Sequence, residues 1–128
     1  MHFAIDTADA RPIYVQIMDE VRRALVMGAL RPEDPLPSVR QLAADLRLNP
    51  NTVAQAYREL ERDGIVYVRR GQGTFIADRA TPDAERAALI AEVARRALVD
   101  AHRHGLSADD LIQAIRDAAA ADAKTAAE

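Results

Sequence analysis

Two stretches of this 128-residue chain have side chains of the type and spacing that bind a polyanion. The first is RRGQGTF, Arg69 to Phe75. Gly71 and Gly73 let the backbone turn at φ values that other residues avoid. They also leave it bare, so that it can come close to a phosphate or a narrow groove. Arg69 and Arg70 put charge beside that approach, with Gln72 at the tip. Arginine suits minor-groove insertion and bidentate phosphate contact better than lysine does. The plainer alternative is a hairpin turn with two solvated arginines, which needs the same glycines. The second stretch is LNPNTVAQAYREL, Leu48 to Leu60. Read as a helix, it turns Val53, Ala56, Tyr57 and Leu60 inward and leaves Asn51, Gln55 and Arg58 on one outer stripe. An asparagine offers a donor and an acceptor together, which matches the major-groove edge of adenine. Gln55 can reach a base and Arg58 a phosphate. The alternative for both is a solvated helix face, with Glu59 and Glu61 pairing to nearby arginines.

Other chemistry finds little support. Asp100, His102 and His104 resemble a metal-binding cluster only in composition. Residues two apart on a helix point to different faces, so the two histidines cannot share an ion. The fragment Gly-Gln-Gly lacks the βαβ unit and later acidic residue of a nucleotide loop. There are no cysteines, which excludes disulfides, thiolate metal sites and a cysteine nucleophile, and fits a cytoplasmic location. No metal, no cofactor and no catalytic constellation is expected. The N-terminal MHFAIDTADA has no basic region followed by an apolar run, so no signal peptide is expected there, and no membrane span is expected anywhere.

Net charge points the same way once it is divided. The chain totals −3, yet residues 36–79 hold seven arginines against five acids, while residues 80–128 hold six basic and nine acidic side chains. Footprints of nucleic-acid binding are local, so an acidic total does not exclude DNA.

These stretches must be positioned by short elements. Phe3 and Ile5 alternate with polar or small neighbours, which predicts a short N-terminal strand. Pro12 suits a first helical position, and Ile13, Ile17, Val21 and Leu25 follow at spacing four as the apolar stripe of an amphipathic helix. In LPSVRQLAADL, Ser38 and Gln41 form a capping box, in which the serine oxygen meets free helix N–H groups and the amide reaches back. Val39, Leu42, Ala43 and Leu46 give that helix its buried face. Asn49 then caps the next helix, Pro50 opens it, and Leu48 can staple onto Val53. Two short helices joined across Arg47–Asn49 make a helix-turn-helix. A strand IVYVRR, a turn and a strand TFIA follow at once, so the fold class is mainly α with a small β-hairpin wing, a winged helix-turn-helix.

In this order PIYVQI, LPSVRQLA and NPNTVAQAYRELERDGIVYVRRGQGTF resemble the GntR family of bacterial transcription regulators, over roughly residues 10–77. The Asn-Pro-Asn-Thr helix start and short C-terminal region resemble its YtrA-type branch. The resemblance implies a homodimer on an inverted-repeat operator, a palindromic stretch of double-stranded DNA, with the second helix of each unit in the major groove. It implies DNA contacts from Arg40 in the Pro-Ser-x-Arg motif, from Asn49, Asn51 and Thr52, and from Gly71 in the minor groove. Ser38 would add a phosphate contact at a helix start, where free N–H groups bind anions. One departure is Glu33, where this branch often has glycine. It is expected to alter a turn outside the contact surface.

The C-terminal third divides from the winged domain at 1–79 and is read as an 80–128 helical dimerisation segment. A long helix is predicted from about Pro82 to His104, roughly 33 Å long. Its apolar residues Leu89, Ile90, Val93, Ala94, Ala97, Leu98 and Ala101 form too wide a band for one contact. Gly105 stops it, Ser107 caps a last helix carrying Leu111, Ile112 and Ile115, and Leu106 can staple onto Leu111. ADAKTAAE is expected to be a frayed tail. Two such helices bury both bands most simply against a second copy. The alternative is a monomer with the helices folded back on the winged domain. The 49 residues after Arg79 are too few to enclose a typical ligand pocket of about 300–1,000 Å³, so a small-molecule effector would have to lie between copies.

The leading function is therefore a sequence-specific DNA-binding transcription regulator, expected to be a repressor. The rival is a winged-helix protein-interaction module that reads no DNA. Some GntR relatives fuse the winged domain to an aminotransferase-like domain that uses pyridoxal phosphate. This chain is too short for one, and its only lysine is Lys124.

Overall fold

The computed structural model describes residues 2–127. They form α1 (Ile13–Val26), α2 (Val39–Leu46), α3 (Pro50–Arg62), β1 (Val66–Arg69), β2 (Gly73–Ile76), α4 (Pro82–Arg103) and α5 (Ala108–Ala127). Two compact units divide within α4, after Leu89.

In the first unit α1 and α2 each pack on α3. The stripe of α1 is buried as its spacing requires: Ile17, Val21 and Leu25 are fully excluded from water, and so are Val53 and Leu60 of α3 and Ile76 of β2. The wing is one antiparallel pair, with Val66 opposite Ile76 and Tyr67 opposite Phe75. It is not free-standing. The loop ahead of α2 runs along β2, where Leu36 N–H donates to Thr74 C=O at 2.9 Å and Ile76 N–H to Asp34 C=O at 2.9 Å. The same loop is tied to α3, because the Tyr57 hydroxyl donates to Pro37 C=O at 2.6 Å. Tyr57 is buried, and burial pushes its hydroxyl well above the usual phenolic range. A buried bond of this kind contributes about 1 kcal/mol, so Tyr57→Phe is expected to lower unfolding free energy by about that amount. Urea denaturation measures it, and an unchanged midpoint would show that the hydroxyl is dispensable.

The N-terminal strand expected at Phe3 and Ile5 does not form. Phe3 is buried and Ile5 packs on the same core, but the backbone is paired with a side chain rather than a neighbouring strand. The buried amide of Gln16 accepts from Asp6 N–H at 2.8 Å and donates to Asp6 C=O at 3.0 Å. One glutamine thus satisfies both polar groups that a ladder would otherwise pair. Pro12 lies one position before the helix, as N-cap of α1.

The start of α4 is held to the helices before it. Arg22 of α1 bonds Asp63 at the end of α3 at 2.8 Å and reaches Glu85 at 3.5 Å, an ion pair that is not aligned as a hydrogen bond. Burial holds the Glu85 carboxyl above its usual range, opposed by Arg22. Ala80 and Glu85 are both buried, so the compact unit extends beyond Arg79.

The second unit is a helical hairpin from Ile90 onward. Leu106 N–H donates to Ala101 C=O at 2.9 Å across the turn. Ser107 and Asp110 then make a complete capping box: Asp110 N–H donates to Ser107 Oγ at 3.1 Å, and Ser107 N–H to Asp110 Oδ2 at 2.9 Å. The Ser107 backbone N–H first, and then its hydroxyl, hold the Asp110 carboxyl below its usual range. The tail expected to fray is helical instead, since α5 continues through ADAKTAA to Ala127. Alanine has the highest helix propensity, acids stand in the first turn and Lys124 in the last, as the helix dipole favours. Large apolar side chains of this unit stay in solvent: Ile90, Val93, Val99, Leu106, Ile112 and Ile115 are each at least 44% exposed. Leu98 and Leu111 are half-buried, Ala94 is exposed, and Ala101 is buried. Among the described residues no helix is long and apolar enough to cross a membrane.

Candidate nucleic-acid interface

Three local structures present the polar residues singled out in the sequence. The first is the start of α2. Ser38 Oγ accepts from Gln41 N–H at 3.0 Å, which leaves the serine proton free to donate outward. The returning half of the predicted capping box is not made, because the Gln41 amide donates to Asp45 at 2.9 Å, one turn along the helix. Arg40 projects from the first turn, exposed and without an ion pair among the described residues.

The second is the start of α3. The joint before it depends on Arg47, whose φ of +56° is left-handed and reverses the chain between helices. Leu48 N–H then donates to Ala43 C=O at 2.9 Å, and Leu48 packs on the core. Asn49 caps α3 with Oδ1, which accepts from Asn51 N–H at 2.8 Å. That oxygen is therefore engaged in the cap, and the Asn49 amide nitrogen has no hydrogen-bond partner among the described residues. Asn51, Gln55 and Arg58 are all exposed, and Thr52 is half-buried. Glu59 pairs with Arg62 at 3.7 Å, so Arg58 keeps its charge without an internal partner among the described residues.

The third is the wing. Gly71 has φ +76° and Gly73 φ +121°, and a Cβ at either would meet no atom within 4 Å. The glycines serve the turn, and the tip is open on its outer side. Arg70 and Gln72 are exposed there. Arg69 is engaged with the protein itself. Its Nη2 donates to Glu33 at 3.0 Å, and its guanidinium stands 4.2 Å from the ring centre of Phe75 and 5.5 Å from that of Tyr67. The Tyr67 hydroxyl donates to the same Glu33 carboxylate. The Tyr67 hydroxyl foremost holds the Glu33 carboxyl below its usual range, while the neighbouring Glu33 pushes the Asp78 carboxyl above its own. Glu33 thus lies against the wing, contrary to the expectation that it sits apart from the contact surface. The loop pairing along β2 brings it there.

A shallow groove of about 210 Å³ runs between α2, the middle of α3 and the wing strands. It is lined by Val39 of α2, Ala54, Tyr57, Arg58 and Glu61 of α3, and Val68 and Thr74 of the wing. The residue next to Arg40, Arg58 of the outer stripe and the hairpin strands therefore border one groove. Sequence reasoning missed Val68, which is 60% exposed between Tyr67 and Arg69. A break in strand alternation was its only signal. Asp100 lies 3.9 Å from His104, and the described residues contain no group of three or more potential metal ligands.

Comparison with known proteins follows the same outline. Residues 13–76 match the family described as bacterial regulatory proteins, gntR family. The HTH-type transcriptional repressor YtrA of Bacillus subtilis (strain 168) is 39% identical over 118 residues, covering 91% of each chain. The uncharacterized HTH-type transcriptional regulator YhcF of the same organism is 42% identical over 108 residues, 84% of this chain and 89% of YhcF. Among solved structures, a GntR family transcriptional regulator from Listeria monocytogenes aligns with a TM-score of 0.67 at 29% identity, over 85% of this chain and 96% of that one. With its winged helix-turn-helix and exposed polar stripe, the chain belongs to the GntR family of bacterial regulatory proteins and is a DNA-binding transcription regulator, not an enzyme.

Proposed function

We propose that the protein is a homodimeric repressor that binds an inverted-repeat operator. Residues 1–79 read the DNA and residues 80–128 pair two copies. The first turns of α3 enter the major groove, where Asn51 and Gln55 face base edges. Ser38, Arg40, Asn49, Thr52 and Arg58 hold the flanking phosphates. The wing tip at Arg70, Gly71 and Gln72 meets the minor groove. The observation that carries this reading is the set of exposed polar side chains without internal partners among the described residues, Arg40 on α2 and Asn51, Gln55 and Arg58 along one face of α3, with Arg58 bordering a groove shared with the wing. Polar groups left without protein partners along one helix face suit a ligand rich in acceptors. Repression is the role named for YtrA. A chromosomal target places the protein in the cytoplasm. A small-molecule effector would fit between the two copies of the helical hairpin.

Two substitutions test the contacts. On a duplex from the protein's own upstream region, Asn51→Ala is expected to lose about 1–3 kcal/mol of binding while affinity for an unrelated duplex stays the same. Equal loss on both duplexes would remove Asn51 from base reading. Arg40→Ala is expected to weaken both duplexes alike and to flatten the salt dependence, since each neutralised phosphate releases counterions. Affinity that ignores salt in the native protein would favour the protein-interaction module instead.

A further inference from the structure

The wing carries an arrangement that the proposed DNA contacts do not use. Glu33 and Arg47 are the only non-glycine residues with left-handed backbone among the described residues, Glu33 at φ +73°. An L side chain enters that region only with strain, and such strain persists where the surroundings require that residue. The side chain of Glu33 has two partners on the wing. Its carboxylate accepts from Arg69 Nη2 and from the Tyr67 hydroxyl. Arg69 meanwhile lies over the rings of Phe75 and Tyr67. The charge, one donor edge and one flat face of this guanidinium are all engaged within the protein. Its neighbour Arg70 has no ion pair or ring contact among the described residues and is fully on the outside.

We propose that Glu33 sets how strongly the wing binds DNA, by holding Arg69 on the protein and leaving Arg70 as the wing's phosphate-binding cation. The proposal rests on the reading of the wing as a DNA contact. A carboxylate and a phosphate are alternative acceptors for one guanidinium. An exposed ion pair alone is a weak competitor, but here stacking on two rings adds to it, and Glu33 stands at the wing before any DNA arrives. A phosphate that captured Arg69 would have to undo all of these contacts. Each phosphate that is engaged steepens the dependence of log affinity on log salt by about 0.9, so the number of wing arginines in contact can be read from a slope. A stability effect does not move that slope.

The full chain serves for the test, with a duplex of about 40 base pairs of arbitrary sequence, because phosphate contacts carry no sequence information. Glu33→Gly is expected to bind about 3–10-fold more tightly at low salt and to steepen the slope by about 0.9 per wing. Glu33→Gln keeps the strained backbone and is expected to change both in the same direction, which separates lost charge from relieved strain. Arg69→Ala added to Glu33→Gly is expected to cancel the gain. The idea is overturned if Arg69→Ala in the native background flattens the slope by about 0.9 per wing, for then Arg69 holds phosphate with Glu33 present. It is also overturned if the gain survives in the double variant, which would mean a general loss of negative charge. A native slope near zero would remove the DNA-contact reading and this proposal together, whereas a normal native slope left unchanged by Glu33→Gly would remove this proposal alone.

Discussion

Replacing Val93 and Ile115 together by aspartate is expected to halve the mass of the protein in solution and to weaken its hold on an inverted-repeat duplex by about 10²–10⁴-fold. Both side chains stand in solvent in the isolated chain, 54% and 55% exposed. Charged residues at such positions change the stability of a single copy by only about 0.5 kcal/mol. In a dimer that buries the apolar band of α4 and α5, each aspartate would be an unpaired charge in an apolar contact, which is strongly unfavourable. The loss in DNA affinity follows from geometry. Two linked reading heads share one binding event, because the second half-site is met at the high effective concentration set by the first. A monomer meets each half-site separately and loses that factor. Sedimentation or light scattering gives the mass, and circular dichroism checks that helix content is kept. A double variant that remains dimeric would put the interface elsewhere, and a monomer that still binds the repeat tightly would show that pairing is not needed for recognition.

The parts of this molecule legible in its sequence are those governed by local spacing. Ile17, Val21 and Leu25 repeat at helical intervals and are buried together. Asn49 and Pro50 mark the start of α3 because capping and a missing N–H are one-residue effects. Gly71 and Gly73 mark the wing turn for the same reason. What the sequence left open depends on partners far along the chain. Nothing near Glu33 signals that its carboxylate meets Arg69, thirty-six positions later, since the pairing follows from the loop 33–36 lying along β2. The partner of Asp6 is likewise the side chain of Gln16 and not a strand, so the alternation at Phe3 and Ile5 reported burial without the ladder. Gln41 had two local partners to choose from, the Ser38 N–H as donor and the Asp45 carboxylate as acceptor, and it is turned toward Asp45 on the next turn. In the candidate site, solvent-facing positions on α3 could be read from periodicity. Which arginine of the wing is free could not, because that is decided by three-dimensional neighbours.

The largest effect on stability is expected from Leu60→Ala, a loss of about 2–5 kcal/mol. Leu60 is fully buried on the inner side of α3, which packs on α1 and α2 and leads into β1. Removing its side chain forfeits the transfer energy of three carbons and leaves a cavity in a close-packed core, whose members Ile17, Val21 and Ile76 are fully excluded from water and have little freedom to collapse into it. A winged domain of this size holds only some 5–10 kcal/mol in total, so the melting temperature should fall by roughly 10 °C or more. The consequence for DNA binding separates support from contact. Leu60 touches no solvent, so it can act on DNA only through the outer residues of its own helix. At a temperature where the variant is still folded, the salt slope should match that of the native protein, since no phosphate contact has been deleted. Thermal unfolding with duplex titration in parallel tests both halves. A variant that melts like the native protein would show that the packing beneath α3 is looser than the buried positions imply, and one that stays folded with an altered slope would mean that this packing aims the outer stripe.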